Sequence, residues 1–157
     1  MENEIAAINS CAWLYLNEIG EPCDNELRIV LHEAVSGSAA NAQDVADESD
    51  PVLKKLLEGA RPIINEKGCR IFELIWPSYI AYSIRNESYT SKDDSEKFTG
   101  RLFVEYSVSK YLDFVSAATF ADQSYPGPFK HYGVCCLNHI VDVVSTFPPQ
   151  IKVSLCA

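Results

Sequence analysis

The sequence contains no Cys-x-x-Cys, no His-x-x-x-His, no glycine-rich phosphate loop and no apolar run near the roughly 18 residues a membrane span requires. Each absence removes a class of function. A structural zinc would have to be assembled from distant residues such as Cys69, and the adjacent Cys135 and Cys136 point to opposite faces of a strand, so no metal and no cofactor is expected. Bases are scarce, 13 Lys and Arg against 22 acids, for a net charge of −9. Twelve of the acids and only three of the bases precede Gly59, while the remainder is neutral. Without clustered cations to neutralise phosphates, a nucleic-acid partner is excluded. No membrane partner is expected either. The opening Met-Glu-Asn-Glu lacks the basic and apolar regions of a secretory signal, so the expected location is cytoplasmic. Six cysteines make an even number, but a disulfide framework belongs to small secreted chains, so free thiols are expected. The Asn86-Glu87-Ser88 sequon carries little weight for the same reason.

What is present is enough apolar material for a core. A chain of 157 residues, 47% hydrophobic, fits one domain. The densest aromatic and β-branched content runs from Cys69 to Glu87. It reads as two central strands, 69–76 and 79–86, joined at Pro77-Ser78, with Phe72, Leu74 and Trp76 on one face of the first and Ile80, Tyr82 and Ile84 on one face of the second. Before it, Ile5, Ile8, Ala12, Tyr15, Leu16 and Ile19 recur at helical spacing and predict a helix over 3–19, stopped by Gly20 and Pro22. Alternation of Leu27, Ile29, Leu31 and Val35 predicts a strand over 26–35, interrupted on its apolar face by Glu33. Residues 36–50 read as an acidic loop and 51–59 as a short helix opened by Pro51. Residues 86–100 form a long polar connection and 101–106 a further strand. A helix over 109–119, capped by Ser107 or Ser109, buries Tyr111, Phe114, Val115 and Ala118. After the Tyr125-Pro126-Gly127-Pro128 turn, 132–146 fits either a helix or strands; a strand of that length needs a bend near Asn138-His139.

Nucleophile, base and acid types crowd together only at His131, Cys135, His139 and Asp142, which are the candidate catalytic residues. On one continuous strand His131, Cys135 and His139 share a face, yet neighbours four apart lie about 13 Å from each other, too far to share a proton unless the chain folds back. Candidate binding residues are Asp44, Asp47, Glu48 and Asp50 in the acidic loop, with Tyr125 and Tyr132 near the proline turn free to line a cleft or an interface.

Three blocks, Tyr79-x-Ala81-Tyr82 with Asn86-Glu87, Tyr106-Ser107-x-Ser109-Lys110-Tyr111-Leu112, and His131-Tyr132 followed by Cys136-Leu137-Asn138-His139 and Asp142, resemble a family of small bacterial proteins with no assigned activity. The resemblance covers about the last ninety residues and implies a single bacterial domain. The expected fold is α+β, one antiparallel or mixed sheet of about five strands with the N-terminal helix and the 109–119 helix packed on it. The expected function is a soluble binding protein for a basic protein partner, of the immunity or antitoxin kind. The alternative is a small enzyme or small-molecule binder using the region from His131 to Asp142.

Overall fold

The computed structural model describes residues 2–38, 49–91 and 93–157, except the side chains of 57–59. Among these residues the fold is α+β, with ten strands in two antiparallel sheets of five strands each rather than one sheet of about five. Helix α1 (Glu2–Ser10) leads into β1 (Trp13–Gly20) and β2 (Leu27–Ser36); α2 (Pro51–Gly59) and the short β3 (Ile63–Ile64) precede β4 (Arg70–Trp76). There follow β5 (Ala81–Asn86), β6 (Lys97–Gly100), β7 (Phe103–Val108), helix α3 (Lys110–Ala118), β8 (Lys130–Cys135), β9 (His139–Ser145) and β10 (Gln150–Leu155). The first sheet has the order β1-β2-β4-β10, with β3 paired to the end of β2, and the second has the order β5-β9-β8-β7-β6.

The two sheets share a core. Leu14, Ile29, Leu31, Phe72, Leu74 and Trp76 from the first pack with Phe103, Tyr132, Val134, Val141 and Val143 from the second, and Ile8 of α1 closes one end. Period-two alternation turns these residues inward and their neighbours outward. Trp76 is fully buried, its ring centroid 6.2 Å from that of Tyr132. The outer face of the first sheet mixes apolar residues such as Val30, Ile71 and Ile75 with an ion-pair cluster. There Glu73 receives Arg28 Nε at 2.5 Å and Lys152 Nζ at 3.3 Å, and Arg28 also reaches Glu18.

The expected helix over 3–19 stops at Ser10, and its second half is the strand β1. Leu16 pairs with Leu31 and Ile19 with Ile29, with a bulge between Leu16 and Glu18. One extra residue in a strand shifts its alternation, so the inward positions fall at 14, 16 and 19 and imitate helical spacing. The side-chain amide of Asn138 fits beside this bulge, accepting from Leu16 N–H and donating to Leu16 C=O, both at 3.0 Å. Glu33, the acid on the apolar face of β2, receives the guanidinium of Arg70 at 2.6 and 2.8 Å. Arg70 also donates to Ala7 C=O at the end of α1, a carbonyl that further accepts from Ser10 Oγ at 2.7 Å, so the helix terminus is satisfied by side chains.

The stretch from Cys69 to Glu87 does not form two neighbouring central strands. β4 is central in the first sheet, whereas β5 is an edge strand of the second, paired only with β9. Pro77 has no N–H to continue a ladder, and the chain crosses there from one sheet to the other. β6 falls inside the expected 86–100 connection. It holds one apolar residue, Phe98, and owes its place to pairing with β7 through a turn at Gly100, where φ is +100° and an added Cβ would lie 2.1 Å from Phe103 O. In α3 only Val115 is buried; Phe114 and Ala118 of the expected stripe are exposed.

Candidate functional site

The ambiguous 132–146 segment is a hairpin, and its turn decides which polar residues meet. β8 pairs with β9 with Cys135 opposite Ile140, Gly133 opposite Asp142 and His131 opposite Val144; Cys136 N–H closes the turn on His139 C=O at 2.9 Å. Opposed residues share a face. His131, Gly133, Cys135 and Asp142 therefore lie on the outer face of the second sheet, and His139, opposite Cys136, is turned to the other face. The expected grouping of His131, Cys135 and His139 is corrected accordingly: reversal of the chain replaces His139 with Asp142 beside His131.

His131 and Asp142 are 1% and 2% exposed, and His131 Nε2 lies 3.0 Å from Asp142 Oδ1. On the other side of the ring, Nδ1 lies 2.7 Å from Ser109 Oγ. Ser109 is the N-cap of α3 and its Oγ accepts from Leu112 N–H at 3.0 Å, so its own hydrogen is available for Nδ1. The Ser109 hydroxyl and the His131 ring hydrogen both meet an acceptor when His131 carries its hydrogen on Nε2 and gives it to Asp142. Asp142 further accepts from Arg85 Nε at 3.0 Å and Nη2 at 3.3 Å, and from Ser83 Oγ at 3.4 Å. A buried carboxylate is tolerated here because it meets a cation and three or more donors.

Tyr106 stands opposite His131 across the β7–β8 pair, and the two rings stack at 4.1 Å with 5° between their planes. Gly133 makes room for it: an added Cβ there would meet Tyr106 Cε2 at 3.0 Å and Val104 Cγ2 at 2.8 Å. Burial pushes the Tyr106 hydroxyl up to about 12 and raises that of Tyr111, so both remain proton donors at neutral pH. Tyr111 packs on His131 at 5.3 Å, tilted by 60°, and forms a stacked pair with Phe114. Over this floor lies a pocket of about 300 Å³, walled by Arg85, Tyr106, Tyr111 and Phe114 and rimmed by Asp93, Glu96 and Lys110. Lys110 is paired with Asp93, which holds that carboxyl below its usual range, and Glu96 accepts from Lys110 N–H at 3.0 Å.

Ser, His and Asp in sequence invite comparison with a nucleophilic triad, but the chemistry differs. Ser109 is 1% exposed, and its oxygen already accepts the helix-capping bond. A nucleophilic serine must present its oxygen to a substrate. The Ser109–His131–Asp142–Arg85 chain instead ties α3 to β8, β9 and β5 and fixes the pocket floor. Cys135 lies on the same face, but burial raises its thiol, the opposite of what an attacking thiolate needs.

The other expected site residues are dispersed. Asp44, Asp47 and Glu48 lie outside the described residues. Asp50 caps α2, accepting from Val52 N–H at 2.8 Å. Tyr125 is exposed and stacks on Phe120 at 5.9 Å beside a second cavity of about 620 Å³. Tyr132 does not line a cleft. It faces inward on β8, 2% exposed between Trp76 and Phe103, because its parity is opposite to that of His131. Sequence reasoning passed over Arg85, Tyr106 and Tyr111 as site residues and treated Ser109 only as a cap. The available signal was a polar residue set between apolar neighbours, Ser83 between Tyr82 and Ile84 and Asp142 between Val141 and Val143; Tyr106 and His131, flanked by Glu105, Ser107 and Lys130, carried no such mark. Among the described residues no helix is long and apolar enough to cross a membrane. No protein-family model, no curated protein and no solved structure matches this chain.

Proposed function

We propose that this protein binds a small molecule in the pocket between α3 and the outer face of the second sheet. The observation that carries the reading is the chain from Ser109 through His131 and Asp142 to Arg85, a pre-arranged polar floor under aromatic walls. Burying two ionisable side chains costs stability that an apolar core would not, and such arrangements concentrate where ligands are oriented. With Ser109 occupied as a helix cap and the Cys135 thiol held protonated, recognition rather than covalent catalysis is the pocket's role.

Binding of a basic protein partner, as by an immunity or antitoxin-type inhibitor in the cytoplasm, rests on the net charge of −9 and its concentration before Gly59. Several acids of the N-terminal part are engaged within the chain: Glu18 with Arg28, Glu33 with Arg70, Glu21 with Tyr82. Asp50 is a cap. The pocket reading therefore takes first place.

The test is a thermal-shift screen of a small-molecule library against the wild type and Ser91→Trp, a change at an exposed position on the pocket lining. Library members should raise the melting temperature of the wild type and lose that effect in the variant. Hits that stabilise both proteins equally would place binding elsewhere.

A further inference from the structure

We infer that the ligand of this pocket is a small aromatic oxyanion, a carboxylate or phosphate on a flat apolar body; the inference rests on the binding reading above and deepens it. Its basis is a count of which polar groups are already used. The three carboxylates of the site all face protein donors. Asp142 takes His131, Arg85 and Ser83; Asp93 takes Lys110 together with Ser95 N–H and Oγ; Glu96 takes Lys110 N–H. The donors are not used up. Arg85 spends Nε and Nη2 on Asp142, and its Nη1 meets no acceptor among the described residues. The Tyr106 hydroxyl, half-buried in the pocket wall, has no hydrogen-bond partner among them either. Among the described residues Lys110 commits its ammonium to Asp93 alone, and it is 75% exposed at the rim.

Both oxygens of Asp142 and of Asp93 are engaged, and only Glu96 Oε2 has no donor among the described residues. Spare donors therefore outnumber spare carboxylate oxygens, a balance matched by a ligand rich in acceptors. Two of the donors belong to cations, and hydrogen bonds from charged groups to an oxyanion are the strong ones. The body of the ligand follows from the walls. Tyr106, Tyr111 and Phe114 all line the pocket, and the half-buried Tyr106 and Tyr111 and the exposed Phe114 offer aromatic surface that a planar apolar group can cover. At about 300 Å³ the pocket suits a ligand of a single ring or two.

Isothermal titration with benzoate, phenyl phosphate, benzamide and benzylamine tests this, each accompanied by amide chemical-shift mapping of the full chain. Benzoate or phenyl phosphate should bind with shifts at Arg85, Tyr106 and Tyr111, and whichever binds more tightly tells carboxylate from phosphate. Tyr106→Phe keeps the ring stack and removes the spare donor; it should weaken oxyanion binding roughly tenfold, while Lys110→Met weakens it by a smaller factor. Benzylamine or benzamide binding in the pocket as tightly as the oxyanions, or a Tyr106→Phe variant with unchanged affinity, would overturn the inference and leave the pocket reading standing. If no probe shifts any pocket resonance, both fail.

Discussion

His131 and Tyr106 face each other across two neighbouring strands with their rings parallel, 4.1 Å apart, and the space that permits this is the missing side chain of Gly133. Gly133→Ala puts a methyl 3.0 Å from the Tyr106 ring and 2.8 Å from Val104 Cγ2. Overpacking of this kind costs about 1 to 3 kcal/mol. Denaturant unfolding should show that loss, together with a changed ring-current shift at His131. An alanine variant as stable as the parent, with its aromatic resonances unmoved, would mean that the stack does not depend on Gly133.

Ser109 holds a helix, and its reactivity should reflect that. A fluorophosphonate probe should leave it unlabelled in the folded protein, because the oxygen is buried and already accepts Leu112 N–H. Ser109→Ala removes the cap and leaves His131 Nδ1 without a donor, a destabilisation of about 2 kcal/mol. A Ser109 adduct found by peptide mass spectrometry would contradict the burial of this oxygen and show a reactive serine.

The Glu33–Arg70 pair sets an acid limit on stability. The Arg70 guanidinium hydrogen-bonded to Glu33 holds its carboxyl down to about 2, against an ordinary value of 4.5. A carboxyl depressed in the folded state stabilises above its unfolded pKa, and the contribution is lost as pH falls from about 4.5 toward 2. It amounts to about 2 to 4 kcal/mol. Glu33→Gln should flatten this part of the stability profile measured by urea unfolding; an unchanged acid slope would show that the pair contributes little.

All six cysteines are free thiols, and their environments predict an order of reaction. Cys23 is exposed and should alkylate first, whereas burial pushes Cys136 up to about 12 and Cys11 up to about 11. Iodoacetamide without reductant should modify six sites after unfolding and Cys23 well before Cys11 or Cys136 in the native protein. A stoichiometric disulfide in fresh material, or equal rates at the three sites, would count against the structure.

How much of this was legible in the sequence varies with the physics involved. Phe72, Leu74 and Trp76 read correctly as one buried face because strand alternation is a local property. The cap of α3 reads as Ser107 or Ser109 for the same reason, and it is Ser109. β1 misread as helix because a single bulge at Asn17 turned period two into an apparent period near three. The site itself hinged on the hairpin turn. A continuous strand puts His139 on the face of His131; reversal at Leu137-Asn138 puts Asp142 there instead. Arg85 and Tyr106 reach His131 and Asp142 only through pairing of β5 with β9 and of β7 with β8, contacts between residues far apart in the chain that no local pattern encodes.

The central claim is that the pocket over His131 and Asp142 is where this protein meets its ligand. The most direct measurement is an amide chemical-shift map recorded with the strongest stabiliser from the thermal-shift screen. The account predicts shifts concentrated at Ser83, Arg85, Tyr106, Tyr111 and His131, with Ser91→Trp abolishing them. Shifts clustered instead at Glu2, Glu18 and Glu26, or around Phe120 and Tyr125, would contradict it.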